Sequence, residues 1–285
     1  MLKTLGGKRV VLFGASGGIG NALCRYILKL GGTLITVDRN PKKSAALLQA
    51  LRSEFPSAQV IPLLADLEEL SQVKKLCRKL TDLDVDILIH NAGAYSIPRR
   101  KCDTGLDNVF QINFFAPYYI TRQLLPHLES KGGRVVAVGS IAHTYSKTDP
   151  EDIDFSARQQ ASLAYGNAKR YLMFSLHELM KEHPQVSFAL THPGMTFTNI
   201  TAHYPAWLFA IIKHPMKIIF MPAKEAALCI LEGLFQSTPP YQWIGPCLFN
   251  VWGKPRCKAL RSASAEEIRR IADTARVLYY RMTKE

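Results

Sequence analysis

The chain has 285 residues, is 47% hydrophobic and carries a net charge of +13. That length suits one large α/β domain or two small ones with a sizeable core, and the composition excludes a disordered or disulfide-stapled chain. The basic residues are spread along the whole sequence rather than gathered on one segment, which argues against a nucleic-acid partner and leaves a mild preference for anionic ligands or a membrane surface.

Met1 to Gly7 is too short and too polar for a signal peptide, and no apolar run reaches the length of a spanning helix. The cysteines, at positions 24, 77, 102, 229, 247 and 257, show neither a C-x-x-C pair nor metal-ligand spacing. Reduced thiols in a cytoplasmic compartment, and no metal site, are therefore expected.

Arg9 to Phe13 is a short apolar run that reads as a strand. It ends in Gly14-Ala15-Ser16-Gly17-Gly18-Ile19-Gly20, and a helical pattern through Ala22, Leu23, Tyr26, Ile27 and Leu30 follows. Glycines at 14, 18 and 20 let the backbone turn tightly and approach a pyrophosphate, whose charge is met by amides at the helix N-terminus. The next strand, Thr33 to Val37, ends at Asp38. A carboxylate about 20 positions beyond the glycines is placed to accept from the adenosine ribose hydroxyls and to repel a 2′-phosphate. Arg39 points the other way, since a guanidinium there can pair with such a phosphate or stack on the adenine. NAD is favoured, with NADP as the alternative.

The alternation continues with a helix from Lys42 to Phe55, a strand from Gln59 to Leu64, a helix from Leu70 to Thr81 and a strand Ile87 to Ile89 running into His90-Asn91-Ala92-Gly93. Strand alternating with helix predicts right-handed βαβ units and a parallel sheet covered on both faces. Asp66, just past a strand, either accepts from the adenine amino group or caps the next helix. Asn113 stands among Val109, Phe110, Ile112 and Phe114, as a satisfied core residue or as part of a site. Ser140 follows the strand Arg134 to Val138, at the carboxyl end where open α/β sheets bind ligands. Its hydroxyl can polarise a substrate carbonyl.

Tyr165 and Lys169 stand four apart on a helix and share a face. A nearby ammonium favours the phenolate, which makes the phenol able to exchange a proton with a carbonyl or alcohol oxygen. Between Ser140 and this pair, residues 141–163 include His143, read as a solvated loop histidine, Tyr145 and an acidic run; the stretch is expected to form part of a substrate mouth. Val186 to Leu190 reads as the sixth strand and precedes Pro193-Gly194, Thr196 and Thr198. The apolar stretch from Ala206 to Met221 is broken by charges and Pro215, and its lysines at a polar edge suit a helix lying on a membrane surface. A helix from Ala223 to Phe235, a last strand Tyr241 to Ile244 and a helix from Ala265 to Tyr280 complete the chain.

The spaced glycines, Asn91-Ala92-Gly93, Asn113, Ser140, Tyr165 with Lys169, and Pro193-Gly194 occur in the order found in the short-chain dehydrogenase/reductase family, which the chain resembles over about residues 8 to 245. The resemblance implies one doubly wound Rossmann-type α/β domain over 1–285, with a seven-stranded parallel sheet, a substrate lid at about 195–222 and a C-terminal extension at about 246–285. It implies that Tyr165 is the acid/base, that Lys169 tunes it and binds the nicotinamide ribose, that Ser140 positions the reacting oxygen and that Asn113 holds a water in a relay to Lys169. For the cofactor it implies Gly14, Ser16, Gly17, Gly18, Ile19 and Gly20 at the diphosphate, Asp38 and Arg39 at the adenosine ribose, and Asp66 and Leu67 at the adenine. Asn91, Ala92 and Gly93 follow along the cofactor, then Pro193 and Gly194 against the nicotinamide, with Thr196 or Thr198 bonding its carboxamide or the diphosphate.

The serine-to-tyrosine separation of 25 exceeds the family's usual dozen or so, as in its retinol-dehydrogenase-like and hydroxysteroid-oxidising branches, and Gly139 stands where a second serine is frequent. The implied activity is NAD(P)-dependent interconversion of a secondary alcohol and a ketone on a small hydrophobic, steroid-like substrate, in a homo-oligomer with a peripheral membrane contact and no nucleic-acid partner. The alternatives are a reductase of small polar carbonyl compounds and a non-catalytic dinucleotide sensor.

Overall fold

Alternate residues of each strand leave the sheet on opposite faces, because successive side chains in a strand point in opposite directions. In β1 (Arg9–Phe13), Val11 and Phe13 enter one apolar cluster while Val10 and Leu12 enter the other. The computed structural model describes residues 3–196, 221–260 and 262–284. The first cluster is closed by α3 (Leu70–Asp82), the short α4 (Asn108–Phe110), α5 (Ala116–Lys131), α6 (Ala161–Glu182) and α8 (Ala265–Lys284). The second is closed by α1 (Gly18–Lys29), α2 (Pro41–Glu54) and α7 (Ala223–Gly233). Each fully buried Val, Leu, Ile or Phe in these layers contributes roughly 1.5–3 kcal/mol.

The remaining strands are β2 (Thr33–Asp38), β3 (Val60–Leu64), β4 (Ile87–His90), β5 (Arg134–Val138), β6 (Ser187–Thr191), β7 (Gln242–Leu248) and β8 (Trp252–Ala259). They lie in the order β3-β2-β1-β4-β5-β6-β7-β8. The first seven pair in parallel and β8 pairs antiparallel with β7. The strand order reverses between β1 and β4, so the crevice beyond their carboxyl ends is the switch point at which such sheets receive ligands.

The seven parallel strands expected are present, and an eighth, antiparallel strand is added to them, so that part of the extension at 246–285 is the edge of the sheet. Gly253 and Pro255 conceal β8 in the sequence, but an edge strand needs a partner on one side only and tolerates proline. The β7–β8 connection turns at Phe249 and Asn250, both left-handed at φ 49° and 58°, with Val251 N donating to Leu248 O at 2.9 Å. This is the primed turn that matches hairpin twist. Among the described residues no helix is long and apolar enough to cross a membrane. Most of the expected lid, and Thr198 with it, lies outside the described residues; Thr196 and Met221, on either side, form a parallel bridge.

Candidate active site

The turn after β1 is built by close approach. Gly14 is left-handed at φ 73°, and a Cβ on it would stand 2.9 Å from Ala92 Cα. A Cβ on Gly20 would stand 2.1 Å from Gly14 O. Asn91 secures the turn, its Nδ2 donating to Phe13 O at 3.1 Å and Gly14 O at 3.2 Å. Gly17 N-caps α1, which starts at Gly18, so Ile19 and Gly20 lie in the first helical turn. The first amides of α1 have no partner within the helix and carry the positive end of its dipole, next to the carboxyl end of β1.

Asp38, at the end of β2, is buried, and its Oδ1 accepts from Ser16 N at 2.9 Å and Ser16 Oγ at 2.8 Å. Its Oδ2 is also buried and has no partner among the described residues. An unsatisfied buried carboxylate oxygen is costly, and a ribose diol is the kind of double donor that satisfies it. Arg39 is engaged with acids: its Nη1 donates to Glu68 Oε1 at 2.9 Å and lies 4.0 Å from Asp66 Oδ2. Asp66 Oδ1 accepts from Glu68 N at 3.0 Å in a local turn ahead of α3. Leu67 is buried beside it, its carbonyl accepting from Gln111 Nε2 at 3.2 Å.

At the carboxyl ends of β4 and β5 four side chains converge. Tyr165, near the start of α6, is half-buried and hydrogen-bonded to the Ser140 side chain. Lys169 is 2% exposed; its Nζ donates to Val138 O at 2.9 Å and lies 5.6 Å from the centre of the Tyr165 ring. A Cβ on Gly93 would stand 2.9 Å from Asn113 Oδ1 and 3.7 Å from Lys169 Nζ, so a side chain there would crowd Asn113. Asn113 lies in a π-helical turn, Gln111–Phe115, a wider winding common at functional sites. Its amide bonds backbone: Oδ1 accepts from Ala94 N at 3.2 Å, and Nδ2 spends both hydrogens on Ala94 O and Val109 O, each at 2.8 Å.

Burial sets the protonation states. It pushes the Tyr165 phenol up to about 12, against the Ser140 hydrogen bond, which lowers it. Burial also pushes the Lys169 ammonium down to about 7. The phenolate-favouring influence of Lys169 expected from the sequence is not what dominates here, because the ammonium points at the Val138 carbonyl.

Several features escape the sequence. Tyr95 packs edge-on against Tyr165, ring centres 5.3 Å apart. Gly166 is needed because a Cβ there would stand 2.4 Å from Ala142 O and 2.9 Å from Ser146 Oγ. His143 is buried, contrary to the solvated loop residue expected: residues 141–144 fold as a 3-10 turn against α6, and its Nδ1 lies 2.6 Å from Ser140 O. That partner accepts only, so Nδ1 carries the proton. Residues 153–158 of the insertion are tied down by Asn167 Nδ2 on Ile153 O at 2.9 Å and Arg99 Nη2 on Phe155 O at 2.8 Å. Gly194 is left-handed at φ 83°, and a Cβ there would stand 2.6 Å from Val251 O, which brings Pro193-Gly194 under the β7–β8 turn. Thr196 is buried next to it.

The family described as short chain dehydrogenase matches residues 8–208. Retinol dehydrogenase 14 of Mus musculus is 28% identical over 212 residues, which cover 69% of this chain and 64% of that protein. The chain therefore spans less than two thirds of that relative's length. Among solved structures, a short-chain dehydrogenase from Sphingobium yanoikuyae in complex with NADPH superposes with a TM-score of 0.61 at 25% identity, over 80% of this chain and 84% of that one. An uncharacterised protein from Mycobacterium paratuberculosis shares the fold over 99% of this chain and 96% of its own, with a TM-score of 0.76 at 24% identity. With its glycine turn, reversed strand order and match over most of its length, the chain belongs to the short chain dehydrogenase family.

Proposed function

We propose that the protein is a nicotinamide-dependent oxidoreductase that interconverts a secondary alcohol and a ketone on a hydrophobic, steroid-like substrate, with Tyr165 as the acid/base. The observation that carries this reading is the meeting of Tyr165, Ser140 and Lys169 at the carboxyl ends of β4 and β5, beside a glycine turn and the unpartnered Oδ2 of Asp38. Gly14, Gly18 and Gly20 would hold the diphosphate, Asp38 the adenosine ribose and Lys169 the nicotinamide ribose. The bound nicotinamide supplies or accepts the hydride.

The chain's own residues manage the proton. Ser140 Oγ orients the substrate oxygen, and the Tyr165 phenol, kept protonated by burial, is the acid that protonates a developing alkoxide. In the opposite direction the phenol must lose its proton, against its burial, and the Ser140 hydrogen bond favours the phenolate, aided by Lys169 only to the extent that its amine stays charged. With both Nδ2 hydrogens of Asn113 spent on backbone carbonyls, a water relay to Lys169 would use the remaining lone pair of Asn113 Oδ1 or main-chain carbonyls of the π-helical turn. The cofactor is read as NAD: the Asp38 carboxylate disfavours a 2′-phosphate, and Glu68 competes with such a phosphate for Arg39.

The apolar sequence between Ala206 and Met221, and the apolar alcohol in the name of the mouse relative, support a hydrophobic substrate. The test is a panel of steroid, retinoid and short-chain alcohols, with the matching ketones, assayed with NAD and NADP in parallel. Turnover of the apolar compounds is expected. Turnover of small polar carbonyl compounds alone would replace the substrate class, and dinucleotide binding with no turnover would make the protein a sensor.

A further inference from the structure

Glu267 stands on α8, outside the residues that match the family, yet it is buried against Arg170, the neighbour of Lys169 on α6. Arg170 Nε donates to Glu267 Oε1 at 2.7 Å and Nη2 to Oε2 at 2.6 Å. Glu267 Oε1 also accepts from Thr148 N at 3.1 Å and Thr148 Oγ1 at 3.0 Å. Arg170 Nη2 bonds Ser262 O as well. Its last arm, Nη1, donates at 2.9 Å to the carbonyl of His143.

That last bond leads to the active site. His143 donates to Ser140 O through its amide at 3.2 Å and its Nδ1 at 2.6 Å. Ala142 N donates to Ser140 Oγ at 3.2 Å, and the Ser140 side chain bonds Tyr165. The turn that aims the serine hydroxyl is held from behind by a guanidinium, which is in turn held by two prongs of a carboxylate. A buried ion pair contributes little net stability compared with apolar residues of the same volume, because both charges lose their water. What a bidentate pair does provide is a fixed direction for the remaining donor.

We infer that Arg170, anchored by Glu267, is a positioning residue for Ser140 that makes the C-terminal helix part of the support of the active site. The inference rests on the alcohol–ketone chemistry proposed above. The variant that tests it is Arg170→Ala combined with Glu267→Ala, since removing both charges leaves neither buried alone. The double variant is expected to melt closer to the parent than Arg170→Ala does. Its kcat is expected to fall about 10- to 100-fold, the effect of a small misplacement of a reacting group, while the KM for the dinucleotide stays within about threefold.

A double variant with the parent's kcat would overturn the inference, as would one that loses only dinucleotide affinity. Should the double variant not fold, Glu267→Gln decides. Its amide takes only one of the two prongs, so kcat is expected to fall at least about threefold at unchanged dinucleotide KM, and an unchanged kcat would overturn the inference. A parent without turnover on any alcohol or ketone would overturn both this role and the reading it rests on. Parent turnover with an undiminished double variant would remove only the role of Arg170.

Discussion

The Nζ of Lys169 lies 5.6 Å from the centre of the Tyr165 ring but gives its hydrogen bond to the carbonyl of Val138. Buried there, the ammonium is pushed from 10.5 to about 7. Between those values the unfolded chain holds the proton and the folded one does not, so stability rises with pH. Cysteines act in the opposite sense: Cys24, Cys77 and Cys229, pushed by burial from 9.0 to about 12, lower stability once the pH passes 9.0. The ligand-free protein is therefore expected to gain melting temperature from about pH 7 to about pH 9, and Lys169→Met to flatten that rise. Thermal denaturation across this window checks it; a parent curve that is already flat would contradict the buried, neutralising lysine.

Gly166 and the Ser140 turn touch directly, since a Cβ on Gly166 would stand 2.4 Å from Ala142 O. Gly166→Ala must push the turn off α6 and take Ser140 with it. The expected cost is roughly 1–3 kcal/mol of stability, from overpacking, and about a tenfold or greater fall in kcat, from misalignment. Denaturant unfolding and steady-state rates read the two effects separately.

Asp38→Asn keeps an oxygen for Ser16 and replaces the unpartnered Oδ2 by a donor. Charge-assisted hydrogen bonds contribute about 1.5–3 kcal/mol, so affinity for NAD is expected to fall about tenfold or more while affinity for NADP falls less. Fluorescence titration with both dinucleotides measures the ratio; an unchanged ratio would remove Asp38 from the ribose.

The sequence makes legible whatever depends on near neighbours in the chain. The glycine turn, the acidic end of β2 and the face shared by Tyr165 and Lys169 are set by periods of two and of three to four residues, and they lie at or against the carboxyl ends of neighbouring strands. What stays hidden depends on partners far along the chain. Arg170 is 97 residues from Glu267, and nothing local announces a carboxylate. His143 reads as a loop residue until Trp243 packs edge-on against it at 5.2 Å. The edge strand β8 is masked by Gly253 and Pro255 because it needs only half of its backbone groups paired.

Phe249 sits at φ 49° with 91% of its surface exposed. A bulky residue in the left-handed region costs roughly 1–2 kcal/mol, and this one recovers little by packing. Phe249→Asn is expected to stabilise the protein by about 1 kcal/mol without changing turnover, because asparagine tolerates that conformation. Paired unfolding curves and initial rates check both halves.

The proton-carrying role of the Tyr165 phenol is the core of the proposed reaction. Its most direct test is the kcat of Tyr165→Phe, measured beside dinucleotide affinity on the same preparation. Dinucleotide binding is expected to stay intact with kcat down by about 10²- to 10⁴-fold, the usual contribution of a general acid or base. A Tyr165→Phe protein that turns over near the parent's rate would contradict it.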